Sequence, residues 1–239
     1  TEYLDVRSPR SDVYPNEGYT RATTRGEEGM KSLGVCFNYA THLDEAPSLG
    51  LGEQVLPPSE PVFFHKGDSL LRPNTPFFLP DMGSVGEYEA ELVVQISRVG
   101  KRIAERFAHR YYNYVTLGID FTARDLQRRA VAEGRPWLSA KVFDGSAVVG
   151  TWLTKEELGY PERSIPFRLD VDGGTRQSAD SSEMIHGIDS LIAHVSRYQT
   201  LRMGDLIFTG TPAGVGSIQI GQLLEGYIGE RKVLHLPIK

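Results

Sequence analysis

The stretch Gly86-Glu87-Tyr88-Glu89-Ala90-Glu91-Leu92-Val93-Val94-Gln95-Ile96 decides how this chain is read. Carboxylates stand at Glu87, Glu89 and Glu91, while Tyr88, Ala90, Leu92, Val94 and Ile96 fill the alternate positions. Side chains alternate across a strand with period two, so the pattern predicts a strand with the acids on one side and a core on the other. Like charges at neighbouring same-face positions destabilise a sheet, and a hard divalent cation with oxygen ligands resolves that repulsion. Further along, Gly118-Ile119-Asp120-Phe121-Thr122-Ala123-Arg124-Asp125-Leu126-Gln127 offers another carboxylate, Asp120, just ahead of a predicted helix. Spacing alone leaves open whether Glu87 or Glu91 is the companion of Glu89.

With 239 residues the chain is long enough for one substantial core. It is 40% hydrophobic and 24% charged, with a formal net charge of -5, an ordinary globular balance without the basic footprint of a nucleic-acid binder. No apolar run reaches the ~18 residues of a membrane span, and charges stand where a signal peptide needs an apolar core, so the expectation is a soluble, cytoplasmic protein without a membrane partner. The single cysteine, Cys36, excludes an internal disulfide and reads as a small buried residue.

Residues 1–29 are polar and carry no recognisable chemistry, so they are expected to be an extension or leader, with one domain over 30–239. Leu33 to Phe37 reads as a buried strand, and one helical turn after it brings His42 and Glu45 to one face, a pair able to move protons. The Gly- and Pro-rich segment between Gly50 and Pro61 reads as a loop able to close over a site. Lys66 ends a strand; Ile103, Phe107, Tyr111 and Tyr114 have near-helical spacing; Thr122 and Asp125 suggest the cap of a helix ending at Gly134. Lys141 is expected at a strand-to-turn position, Asp172-Gly173-Gly174 as a hairpin turn, and Met184 to Tyr198 as a helix capped by Asp180 and Glu183. Gly204 to Thr209 and Lys232 to Ile238 read as strands.

Taken together, Asn38-Tyr39 with His42 and Glu45, Phe64 to Lys66, Glu89-Ala90-Glu91-Leu92, Asp120 with Thr122 to Asp125 and Gln127, Ala140-Lys141, and Thr209-Gly210-Thr211-Pro212 with Gly214-Val215-Gly216 resemble the fumarylacetoacetate hydrolase family. The likeness is to its small single-domain acylpyruvate hydrolase and oxaloacetate decarboxylase-like members. It implies a β-rich α+β fold, a mixed β-sandwich roll with a few peripheral helices, and a homodimer. It also implies a Mg2+ or Mn2+ site, with Ca2+ a further candidate, on Glu89, Glu91 and Asp120, which leaves Glu87 on the rim. Cys36, Gly67 and the segment 1–29 depart from the family pattern without removing a ligand.

The resemblance further implies a small 2-oxo acid substrate and catalytic roles for His42, Glu45 and Lys141, with Lys66, Arg124, Gln127 and Thr211 binding substrate. A metal-assisted cleavage beside a carbonyl needs a Lewis acid for the charge on oxygen and an acid/base pair for the proton. The expected activity is Mg2+-dependent hydrolysis of a C–C bond in acylpyruvate-type substrates. Decarboxylation or isomerisation of 2-oxo or 2-hydroxydienoic diacids is the alternative. The other histidines, His65, His109, His186, His194 and His235, have no chemical partner in the sequence.

Overall fold

The computed structural model describes residues 30–51, 56–81 and 86–239. Its strands are β1 (Ser32–Cys36), β2 (Val62–His65), β3 (Gly86–Tyr88), β4 (Ala90–Ile96), β5 (Tyr112–Asp120), β6 (Thr122–Ala123) and β7 (Ala147–Val149). There follow β8 (Leu153–Thr154), β9 (Pro166–Val171), β10 (Gly174–Asp180), β11 (Leu206–Phe208), β12 (Gly216–Ser217), β13 (Leu223–Ile228) and β14 (Arg231–Pro237). The helices are α1 (Ala40–Glu45), α2 (Glu105–Ala108), α3 (Arg124–Ala132), α4 (Leu138–Lys141), α5 (Lys155–Leu158) and α6 (Ile188–Tyr198).

Three sheets result: β2-β1-β11-β4-β5-β7 with β8 also on β5, β10-β9-β13-β14, and the small β12-β3-β6. Only β1 and β11 run parallel in the large sheet; its other pairs are antiparallel. The four-stranded sheet packs on β5, where a Cβ on Gly226 would stand 2.7 Å from Leu117 Cδ2, so the two sheets meet at a close approach only glycine allows. Leu92, Val94, Val115 and Leu117 share one core with Phe167, Ile228 and Val233 of the facing sheet and with Ile188, Leu191, Ile192 and Val195 of α6. Each such side chain contributes ~1.5–3 kcal/mol when fully buried. The β-rich α+β expectation holds.

The opening stretch is not one strand. It breaks at Glu89: Tyr88 pairs with Gly216 in the small sheet, whereas Ala90 pairs with Ile119 in the large one. Tyr88 to Val94 are buried on both faces, so the acids lie inside the protein along with the apolar set. The near-helical spacing after Lys101 was misleading. Only Glu105–Ala108 is helical, and the aromatic and β-branched run from Tyr112 enters β5, as its strand propensity favours.

The cap pair Asp180 and Glu183 is real, but it closes a 3-10 turn at Ser181–Glu183, and α6 begins only at Ile188. The α3 helix starts at Arg124 without a side-chain cap, because Thr122 belongs to β6. Lys141 ends α4 rather than a strand. The hairpin at Asp172 and Gly173, both with positive φ, and the closing strand β14 are as expected. No helix among the described residues is long and apolar enough to cross a membrane. The proposed extension 1–29 and the middle of the predicted loop, 52–55, lie outside the described residues.

Candidate metal centre

The break at Glu89 positions the acids. Asp120 closes β5, and its amide donates to Glu89 O at 2.8 Å, which locks the end of one strand to the crossover of the other. Glu89, Glu91 and Asp120 are all buried, and each offers a carboxylate oxygen within 4.8 Å of the other two. The spacing question is thereby decided for Glu91. Glu87, expected on the rim, is instead buried and accepts from Arg124 Nε at 2.6 Å.

Cations surround this cluster. Lys141 Nζ donates to Glu89 Oε2 at 2.5 Å, Asp120 Oδ2 at 2.9 Å and Thr122 Oγ1 at 2.7 Å. Lys66 Nζ donates to Asp120 Oδ1 at 2.6 Å, to the Lys141 carbonyl at 2.6 Å and to Ser146 Oγ at 3.1 Å. Arg124 reaches Glu89 Oε1 through Nη2 and Gln127 Oε1 through Nη1, the latter at 2.5 Å. Both oxygens of Glu89 and both of Asp120 therefore already face a cationic N–H.

Glu91 differs. Its Oε2 accepts from the Gly210 amide at 2.7 Å, with no side-chain ion pair among the described residues. Burial, then the charges of Asp120 and Glu89, push its carboxyl well above the ordinary range. Burial alone would also raise Glu89, but Lys141 and Arg124 outweigh it and hold that carboxyl well below. Burial likewise opposes the charge on Lys141, yet Asp120 and Glu89 raise it above its usual value. Lys66 is lowered, chiefly by burial.

The donor set fits a hard divalent cation: oxygen ligands only, and one buried carboxylate whose ionised form needs a positive partner. The Cys36 thiol is pushed up to about 12, first by burial, so it supplies no thiolate.

A cavity of about 110 Å3 opens onto this cluster. Glu89, Glu91, Arg124 and Lys141 line its floor, and Phe37, Leu51, Phe64, Val131 and Trp137 form an apolar wall. Trp137, which the sequence reading missed, meets Phe64 edge to face at 5.4 Å between ring centres. His42 borders the cavity beneath Phe37, ring centres 6.0 Å apart, and its Nδ1 is 3.4 Å from Glu45 Oε2. The one-turn helix α1 thus makes the expected pair. Burial acts to raise Glu45, but bonds from His42 and from the Gly214 and Val215 amides lower it. That keeps it ionised beside the imidazole.

Two expected substrate contacts are not of the predicted kind. Lys66 is wholly buried behind Asp120 and does not border the cavity; its place at a strand end gave no sign of which way it points. Thr211 does border it, but its hydroxyl proton is directed to Ala90 O at 2.9 Å and its oxygen accepts from Gln177 Nε2 at 2.8 Å. Gln177 went unnoticed in the sequence, although its period-two relation to Ala179 in a strand marked it as inward-facing. Asn38 also holds the floor: its Nδ2 donates to Thr209 O at 2.8 Å, and Gly210 at φ +96 turns its amide toward Glu91.

The pattern described as Fumarylacetoacetate (FAA) hydrolase C-terminal matches residues 31–235. The chain belongs to the fumarylacetoacetate hydrolase family. Within this family, the mitochondrial oxaloacetate tautomerase FAHD1 of Rattus norvegicus is 36% identical over 212 residues, covering 87% of this chain and 92% of the relative. The mitochondrial oxaloacetate decarboxylase of Dictyostelium discoideum is 35% identical over 201 residues, covering 83% and 88%. Among solved structures, fumarylpyruvate hydrolase from Pseudomonas aeruginosa, in complex with Mn2+ and pyruvate, matches with a TM-score of 0.78 at 31% identity, covering 95% of this chain and 99% of that one. This fumarylacetoacetate hydrolase family chain is an enzyme with the fold expected from its sequence and a buried acidic triad suited to a divalent metal.

Proposed function

We propose that this protein is a Mg2+-dependent hydrolase of acylpyruvate-type 2-oxo acids. One observation carries the reading: His42, paired with Glu45, borders the same cavity as Glu89 and Glu91, which cluster with the buried Asp120, and the rest of its lining is largely apolar. Mg2+ held by the triad would supply a Lewis acid for the oxygens of the 2-oxo acid head. Arg124 and Lys141 place fixed positive charge beside that head. His42, oriented by Glu45, takes a proton from water while the water oxygen bonds to the acyl carbonyl carbon and the carbonyl π pair passes to its oxygen, to return as the carbonyl reforms. The C3–C4 bond then breaks and its electron pair passes to C3, delocalised onto the C2 oxygen. The imidazolium returns its proton to C3, giving pyruvate and a carboxylic acid. Phe37, Leu51, Phe64, Val131 and Trp137 suit an acyl arm projecting outward.

A second reading, tautomerisation or decarboxylation of oxaloacetate, draws support from the names of two relatives. It needs the same proton relay without the added water. Incubation with acetylpyruvate and with oxaloacetate in the presence of Mg2+, with products identified by mass and the enol followed by its ultraviolet absorbance, separates the two. Release of acetate and pyruvate supports the hydrolase; carbon dioxide from oxaloacetate, or interconversion of its enol and keto forms, with acetylpyruvate untouched sinks it. The proposal includes a cytoplasmic homodimer, which light scattering of the purified protein checks for mass.

A further inference from the structure

One buried carboxylate at the centre serves neither the triad nor the proton pair. Glu87 is 7% exposed, lies on β3 and does not border the cavity. Its Oε2 accepts from Arg124 Nε at 2.6 Å, and Arg128 Nη2 stands 4.0 Å from its Oε1. The pairing of β3 with β6 sets Glu87 opposite Thr122, two residues before Arg124, so the small sheet itself brings acid and guanidinium together.

A guanidinium is a planar fork with five N–H donors. In Arg124 three of them are anchored: Nε on Glu87, Nη1 on Gln127 and Nη2 on Glu89. These anchors fix the plane of a side chain that lines the cavity at 1% exposure. The remaining donors, one on each Nη, take no partner among the described residues. Without Glu87, Nε loses its acceptor and the guanidinium is drawn onto Glu89, whose other oxygen already faces Lys141. Arg124, already paired with Glu89, would then lose the anchor that fixes its plane at the cavity.

We infer that Glu87 is a positioning residue, which holds Arg124 at the cavity wall with two donors left for the carboxylate of a 2-oxo acid. The inference rests on the proposed 2-oxo acid chemistry, and its test separates the two. In 15N-labelled protein without added ion, the Nε–H resonance assigned to Arg124, absent from Arg124→Lys, is slow to exchange; Glu87→Ala loses that protection and Glu87→Gln, which keeps an acceptor, retains part of it. By calorimetry at saturating Mg2+, pyruvate binds Glu87→Ala about tenfold more weakly than the parent, with partial rescue in Glu87→Gln. Retained protection in Glu87→Ala overturns the inference. So does pyruvate affinity within about twofold of the parent, or a loss that follows the thermal midpoint with no rescue by Gln. If the parent binds no pyruvate, the proposed function falls, and the Nε–H exchange still decides for or against Glu87.

Discussion

The ammonium of Lys141 sits 2.5 Å from Glu89 Oε2, so a protein cation already occupies an oxygen that a bound metal would share. The same ammonium reaches Asp120, and removing it leaves Glu89 Oε2 and Asp120 Oδ2 without a cationic partner among the described residues. Lys141→Met is expected to cost the metal-free protein about 3–5 kcal/mol, as loss of one partner from a buried pair does. Urea unfolding measures it, and the gap should narrow when Mg2+ is added. A cost that Mg2+ leaves unchanged would remove the shared-oxygen account.

Glu91 is the acid of the cluster with no side-chain ion pair among the described residues. Glu91→Gln replaces a strained carboxyl with a neutral group of similar shape and is expected to leave metal-free stability within about 1 kcal/mol of the parent, or above it. The stabilisation by a divalent ion, about 2.7 kcal/mol at a hundredfold excess over Kd in the parent, is lost. Thermal unfolding with and without Mg2+ checks both halves, and an undiminished Mg2+ increment in the variant would contradict the triad.

Gly210 stands at φ +96, and a Cβ there would lie 2.7 Å from Asn38 Cβ. Gly210→Ala combines a left-handed backbone with a clash beside the amide that bonds Glu91. A loss of about 1–3 kcal/mol is expected, together with weaker divalent binding by calorimetry. Unaltered binding would show that the amide is not needed to aim Glu91.

Glu45 titrates below the ordinary carboxyl range because bonds from His42 and the Gly214 and Val215 amides outweigh burial. A carboxyl depressed in the fold stabilises it above the unfolded value of ~4.3, and that contribution disappears as pH falls through the folded pKa. The stability difference between the parent and Glu45→Gln should therefore be present at neutral pH and shrink on acidification. Urea midpoints across that range test it; a difference that grows toward acid has the wrong sign.

Strand parity marked Glu87, Glu89 and Glu91 as one set, and Asp120 stood ahead of a recognisable helix, but the choice of Glu91 over Glu87 came from the family resemblance alone. The place of Glu87 was not legible, since the break at Glu89 depends on partners far along the chain: Gly216 on one side and Ile119 on the other. Lys66 and Thr211 were expected to face substrate, and nothing in the local sequence told that their polar atoms engage Asp120 in one case and Ala90 and Gln177 in the other. The run from Ile103 to Tyr114 carried two periodicities, and β5 formed where neighbouring strands could pair it. The Asp180–Glu183 box was a true local signal, but it ended after one turn.

The acids meet partners drawn from the whole sequence: Gly210 is 119 residues from Glu91, Lys66 is 54 from Asp120 and Lys141 is 52 from Glu89. A calcium loop gathers its ligands within ~12 residues and can form locally. Here the acids themselves meet through the pairing of β4 with β5, while the groups that hold them come from farther along the chain. A growing chain would lack the amide that holds Glu91 until residue 210 had been added, so the orientation of that carboxylate depends on a late part of the sequence. An ion on these acids would tie the end of β5 to β4 and to the break that leads from β3.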